Sequence, residues 1–130
     1  MTKQYLAYAA GFFDGEGYVG ASMSGKYLRI EVSVSQKDAA VLLWYKKTFG
    51  GGVYGSMSRH GTVYQWKTHG EAAIMFLSTM MPYLIVKRDE AQGAIDIWNG
   101  RHDQERTRER VRIYKEVRNA RKIRLQSTEE

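Results

Sequence analysis

Tyr8-Ala9-Ala10-Gly11-Phe12-Phe13-Asp14-Gly15-Glu16-Gly17 ends an apolar run in two carboxylates separated by glycine. Leu6, Ala10 and Phe13 fit a helical stripe over residues 4–15, and Gly17 is its expected stop. Ala7, Gly11 and Gly15 recur four apart, so they share one helical face on which a second helix backbone can come very close. A helix-interior glycine costs about 1 kcal/mol relative to alanine, and close packing explains two of them better than propensity does. The stretch therefore predicts a helix with a carboxylate site at its end. Taken alone, the same residues also suit a turn of small polar residues that merely stops a helix.

Beyond Gly17, residues 18–24 and 27–36 read as a hairpin turning at Ser24-Gly25-Lys26. Leu28, Ile30, Val32 and Val34 face one way, and Tyr27, Arg29, Glu31, Ser33 and Ser35 the other. Asp38 is the expected N-cap of a helix through Phe49, which Gly50-Gly51-Gly52 stops. A second hairpin is expected near 53–58 and 62–68 with His60-Gly61 at its turn; the register of 53–59 is not legible, and only Arg59 is assigned there, as a loop contact. Glu71 to Met81 predicts a third helix with Ile74, Leu77 and Met81 inward, ended by Pro82. Residues 87–99 predict a fourth, lined by Ala91, Ala94, Ile95 and Trp98 and stopped by Gly100. Trp44, Trp66 and Trp98 read as core. The order αββαββα followed by helices implies an α+β domain with helices on one face of an antiparallel sheet.

The other sheet face then carries Tyr27, Arg29, Glu31 and Ser33 from the first hairpin and Gln65 and Lys67 from the second. Such a face can lie in a major groove, where Arg reads guanine and Gln reads adenine through paired hydrogen bonds. Polar alternation is equally the norm for a solvated sheet. A formal charge of +6 and a pI of about 9.6 favour an anionic partner. The charge is uneven: residues 1–100 hold 10 basic against 8 acidic side chains and residues 101–130 hold 10 against 6, so most of the excess lies in the tail.

At 130 residues the chain is one domain, residues 1–100, with an appendage over 101–130. The absence of cysteine excludes disulfides and thiolate chemistry. No apolar run approaches the roughly 20 residues of a membrane span. Met1-Thr2-Lys3-Gln4 lacks a secretory h-region, so an intracellular location is expected, cytoplasmic or organellar. His60, His69 and His102 are too scattered for a metal triad.

Ala9 to Gly17 resembles the nine-residue signature of the LAGLIDADG homing endonucleases. The resemblance runs from about Tyr5 to about Trp98, with Val34-Ser35-Gln36-Lys37-Asp38, Phe49-Gly50-Gly51-Gly52 and Pro82-Tyr83-Leu84-Ile85-Val86-Lys87-Arg88 in the family's order. It is similar to the members that carry one motif and dimerise. What this implies is a saddle-shaped sheet over double-stranded DNA, and a homodimeric site-specific endonuclease cutting a long pseudo-palindromic site with Mg2+ or another divalent cation such as Mn2+. No membrane and no small-molecule cofactor are implied. By the same resemblance Glu16 is a metal ligand, with the Gly15 carbonyl beside it. Gln36 and Lys87 order water and neutralise phosphate. Ala7, Gly11, Asp14 and Gly15 form the dimer seam, Asp14 in a structural role. The saddle residues Tyr27, Arg29, Glu31, Ser33, Arg59, Gln65 and Lys67 contact DNA.

Two departures stand out. Many family members have Asp where this chain has Glu16, and often a further basic residue where it has Ala40. Either Lys37, Arg88 or a tail residue replaces the latter, or catalysis is weak. The alternatives are a non-cleaving DNA-binding regulator of the same fold and an RNA-binding intron splicing factor, a maturase.

In the tail, Arg106, Arg108, Arg110, Arg112, Lys115, Arg118, Arg121, Lys122 and Arg124 alternate with Glu105, Glu109 and Glu116, and Ile113, Val117 and Ala120 give a thin apolar stripe. The segment reads as a helix, either exposed and stitched by Glu–Arg pairs or flanking the sheet and touching phosphates through Arg118 and Arg121. Ser127 to Glu130 are expected to fray.

Overall fold

Thr2 opens the first helix: its hydroxyl accepts the Tyr5 amide, and α1 runs Lys3–Glu16 until Gly17 turns to extended backbone. The computed structural model describes the backbone of residues 1–129 and the side chains of residues 1–121. After α1 come β1 (Gly17–Ser24), β2 (Tyr27–Gln36), α2 (Ala40–Phe49), β3 (Gly52–Ser58), β4 (Gly61–His69) and α3 (Gly70–Met80). A turn of 3-10 helix over Met81–Tyr83, α4 (Arg88–Asn99) and α5 (Gln104–Glu129) complete the chain. The strands form one antiparallel sheet in the order β1-β2-β4-β3. The expected αββαββα order and α+β class are those observed, with boundaries moved by one or two residues. Asp38 is not the N-cap of α2: Ala39 is, and the Asp38 carboxylate, one residue earlier, accepts the Ala40 amide at 2.9 Å.

One sheet face is the core. Val19, Ile30, Val32, Val34 and Trp66 lie on it, fully or almost fully buried, under Phe13 of α1, Tyr45 of α2 and Phe76 and Leu77 of α3. The aromatics meet edge-on or tilted: Phe13 and Phe76 at 5.1 Å, Tyr45 and Trp66 at 5.0 Å, Phe49 and Phe76 at 5.0 Å. Such pairs are worth about 0.5–1.5 kcal/mol each beyond their buried area. Their polar tips are satisfied: the Tyr45 hydroxyl donates to the Ala9 carbonyl and Trp66 Nε1 to the Gly50 carbonyl at 2.8 Å. Gly51 is required where it stands, because its φ is 81° and a Cβ would lie 2.6 Å from the Lys67 carbonyl.

Several inward positions differ from the sequence expectation. Met80, not Met81, is buried, because α3 begins one residue earlier and Pro82 sits in the 3-10 turn rather than simply ending the helix. Ile97 is the buried residue of α4 beside Ala91 and Ala94, while Ile95 and Trp98 flank it half-buried. Trp44 is likewise only partly buried, against Tyr5 and Tyr8; Trp66 alone of the three tryptophans is fully enclosed.

The largest correction concerns α5. Its docking stripe is Thr107, Val111 and Tyr114 with Arg118 half-buried below them, whereas Ile113 and Val117 are 46% and 63% exposed and Ala120 is exposed. Hydrogen bonding sets this face. β1 is an edge strand whose outward carbonyls lack a ladder partner, and both the Tyr114 hydroxyl and Arg118 Nη1 donate to the Val19 carbonyl at 2.9 Å. On the outer side Arg112 pairs with Glu109 and Glu116, as a stitched exposed helix would. The helix continues through Ser127 to Glu129, where fraying was expected; the side chains of Lys122 and Arg124, and Glu130 altogether, lie outside the described residues.

Burial raises the hydroxyl pKa of Tyr45 and of Tyr114 well above the ordinary tyrosine value. A raised folded-state pKa gives stability that is complete below the unfolded value, near 10, and is lost as pH climbs through and beyond it. In an absorbance titration two of the nine tyrosines should ionise only as helical circular dichroism collapses. If all ionise together while the dichroism is intact, this packing is wrong.

Candidate active site and nucleic-acid interface

The end of α1 is fixed by a reciprocal contact. The Asp14 carboxylate accepts the backbone amides of Ile85 at 2.7 Å and Lys87 at 3.0 Å, and Lys87 Nζ donates back to the Asp14 carbonyl at 2.7 Å. The 3-10 turn and the buried side chain of Leu84 carry the chain to this point before α4 begins. Asp14 is thereby half-buried and committed to the 85–87 segment. Glu16, two residues on, is exposed and makes no hydrogen bond or ion pair among the described residues. It is the last residue of α1, where carbonyls lack intrahelical partners and the helix dipole favours positive charge. A carboxylate, the neighbouring Gly15 carbonyl and the negative end of a helix form a hard-oxygen donor set suited to a divalent cation that keeps most of its waters. Among the described residues no cluster of three or more His, Cys, Asp or Glu could hold a metal ion.

The structure brings Lys87 to this end of α1 and sets Gln36 further back. Gln36 ends β2 on the helix side of the sheet and lines a recess of about 450 Å3 with Tyr8, Phe12, Asp38, Ala40 and Trp44. Phe12 precedes Glu16 by one helical turn, about 6 Å. Ala40 lines the same recess, so its small side chain puts no charge beside Gln36. Along α1, Ala7, Gly11 and Gly15 are exposed, and a Cβ on either glycine would meet nothing within 4 Å.

On the open sheet face the register sets Ser33 between Tyr18 and Lys67, and Gln65 between Ser35 and Tyr54. Tyr27 is 79% exposed and Arg29 is exposed, the latter 3.4 Å from Glu31. Gln65 and Lys67 are half-buried, Lys67 with its ammonium 5.7 Å from the Tyr54 ring centre. Ser33 is on the expected face but only 4% exposed, since its larger cross-strand neighbours cover it; it is unavailable as a contact without their movement. Arg59 is exposed in the β3–β4 turn, where Ser58 Oγ bonds both the His60 amide and the Gly61 carbonyl. Arg118 is engaged by Val19 and Arg121 is half-buried, so neither is a freely extended tail cation.

The pairing also puts Tyr18 and Ser22 of β1 and Tyr54 and Ser56 of β3 on this face, residues the sequence reading missed. For Tyr18 and Ser22 the signal was available in their alternation opposite β2. For Tyr54 and Ser56 it was not, because glycines interrupt the pattern of β3.

No protein-family model matches the chain, and no curated protein matches it. Solved structures do. I-Vdi141I, an archaeal intron-encoded homing endonuclease complexed with DNA, superposes with a TM-score of 0.72 at 21% identity, over 87% of this chain and 83% of its own. The homing endonuclease I-CvuI, in complex with its target in the presence of calcium, gives 0.69 at 21% identity over 85% and 82%. The LAGLIDADG homing endonuclease I-GzeII, with its DNA target, gives 0.64 at 18% identity over 82% of this chain but 40% of its own. The chain has the LAGLIDADG homing endonuclease fold.

Asp14→Ala removes the acceptor for two loop amides. Hydrogen bonds to a charged group contribute about 1.5–3 kcal/mol each, so urea denaturation should show a loss of several kcal/mol, with Asp14→Asn recovering part of it. A change below about 0.5 kcal/mol, the range of an ordinary surface substitution, would show that the clamp contributes nothing to the fold.

Proposed function

We propose that the protein is a site-specific double-strand DNA endonuclease of the LAGLIDADG homing type. The observation that carries the reading is the end of α1: an unpaired Glu16 at a helix C-terminus, held by the Asp14 clamp beside Lys87, on a fold whose solved examples are homing endonucleases. Glu16 and the Gly15 carbonyl would hold a divalent ion, Mg2+ or Mn2+, which when bound would supply Lewis-acid stabilisation of the scissile phosphate and lower the pKa of a water. Lys87 neutralises phosphate charge, and Gln36 orders water at the flank of α1. Tyr27, Arg29, Glu31, Arg59, Gln65 and Lys67 lie on the DNA, joined by Tyr18, Ser22, Tyr54 and Ser56. Residues 1–100 form the endonuclease domain and 101–130 its basic helical extension. DNA as substrate accords with an intracellular site of action.

Cutting two antiparallel strands requires two sites related by a twofold axis, and one chain has one Glu16, so the active form is a homodimer. The bare face of Ala7, Gly11 and Gly15 is where the two α1 helices meet, near the paired Glu16 residues. If each sheet covers about one turn of DNA, roughly 10 bp, the full pseudo-palindromic site is on the order of 20 bp.

Ala40 beside Gln36 favours a second reading, a DNA-binding regulator that no longer cuts. Incubation with a duplex library and Mg2+, followed by sequencing of the ends, separates the two: enrichment of a bound site that is never cut supports the regulator. For the endonuclease, Glu16→Gln should abolish cleavage while leaving DNA affinity within a few-fold. Near-wild-type cutting by that variant would remove Glu16 from the site.

Gly11→Leu should wedge the two α1 helices apart and convert a dimer into a monomer by light scattering at micromolar concentration. A dimeric variant, or a wild type that is already monomeric, speaks against this seam.

A further inference from the structure

Where α5 crosses the β1 edge, Lys115 and Arg118 come beside Tyr18 and Ser22 of β1 and Arg29 and Glu31 of β2, around a recess of about 270 Å3. Gly20 lies at its floor, and the Tyr18 ring leans over the space a side chain there would fill. Three cations thus face one carboxylate, and Glu31 is already paired with Arg29. The surplus belongs chiefly to Lys115, because Arg118 also feels the Glu90 carboxylate of α4, with which it lines a second recess. Neither Lys115 nor Arg118 makes an ion pair among the described residues.

Arg118 is held in place rather than mobile. Nη1 donates to the Val19 carbonyl, the guanidinium lies 5.0 Å from the Tyr18 ring centre, and Nε is buried with no hydrogen-bond partner. A fixed, half-buried cation acts on an incoming anion through a lower effective dielectric than a solvated one, and spends less conformational entropy on the encounter. The Ser22 hydroxyl adds a neutral donor.

The position of the recess suggests its ligand. Four strands at about 4.8 Å spacing span about 14 Å, whereas the major groove is about 12 Å wide. With β2 and β4 over the bases, the outer edges of the sheet face the phosphate backbones. We propose that this recess is a phosphodiester-binding site, with Lys115 and Arg118 clamping one backbone phosphate per protomer and so fixing the sheet's register on DNA. The DNA part of the proposal rests on the endonuclease reading; the anion site itself does not.

The test uses the full-length protein in two arms. In the first, amide signals of Gly20 and Ser22 are followed by NMR during titration with inorganic phosphate, with chloride at equal ionic strength as control. Phosphate should shift both signals saturably in the wild type and in Lys115→Arg, but not in Lys115→Glu. Lys115 is exposed, so these variants should keep the wild-type circular dichroism. In the second arm, duplex binding is measured against salt. Lys115→Ala should weaken specific and scrambled duplexes by the same factor and reduce the slope of log affinity against log salt by part of the about 0.9 that one phosphate contact contributes, because Arg118 stays on the same phosphate.

Absence of a saturable phosphate shift overturns the site. A saturable shift with an unchanged salt slope overturns the backbone assignment and leaves a site for free phosphate. A wild type that binds phosphate at these amides yet binds no duplex refutes the endonuclease reading while the anion site stands.

Discussion

The contact between Asp14 and the 85–87 segment is the constraint on which the working parts of this molecule depend. It joins positions 71 and 73 residues apart in the chain, on either side of the whole sheet and α3. The two directions of donation reinforce each other: the carboxylate takes two backbone amides, and the Lys87 ammonium takes the Asp14 carbonyl. Asp14 satisfies the loop, and Glu16 has no partner among the described residues at the helix end. Because the Lys87 ammonium is drawn to the Asp14 carbonyl, its charge lies within two residues of Glu16 along α1. A shift of this loop would alter the orientation of the helix end and the charge beside it together.

How legible the fold was in the sequence follows from how much contrast each element carried. In β2 every second residue from Leu28 to Val34 is Leu, Ile or Val and those between are polar, so its two faces were readable without any partner. The register of β3 was not readable, since Gly52 and Gly55 carry no side chain and Val53, Tyr54 and Met57 fall on both faces; only pairing with β4 assigns them. In α5 an Arg stands at every second position from 106 to 112 and basic residues recur up to 124, so the apolar residues define only a thin stripe. Its inner face is chosen by a tyrosine hydroxyl and a guanidinium that reach the unpaired edge of β1. A reading based on hydrophobicity therefore selected Ile113 and Val117, which the fold leaves exposed.

The candidate site was legible in part, and for different reasons at each residue. Composition and periodicity alone left Asp-Gly-Glu-Gly open between a carboxylate site and an ordinary helix stop; the family resemblance gave Glu16, Gln36 and Lys87 their expected roles. The structural role expected for Asp14 has a specific partner that sequence could not supply, because no local pattern links a helix end to a loop more than seventy residues away. Arg118 and Arg121 were expected together as phosphate contacts, and only the structure separates them, since Arg118 alone of the two donates to the Val19 carbonyl. Ser33 shows the converse: its face was read correctly, but its exposure depends on the size of Tyr18 and Lys67, its neighbours on two different strands.

The composition of α1 is best understood from its two sides. Ala9, Ala10 and Phe13 are fully buried in the core, while Ala7, Gly11 and Gly15 lie open on the opposite side. Within the single chain nothing requires the glycines: both are helical, neither has a positive φ, and a Cβ on either would enter empty space. Alanine would be better in each place by about 1 kcal/mol. The cost of retaining glycine is therefore unexplained by the folding of one protomer, and is explained if another backbone lies against that side in the functional form. In the proposed dimer the same 14-residue helix serves both interfaces, and the Asp14 clamp at its end makes core packing, subunit pairing and the placement of Glu16 consequences of one another.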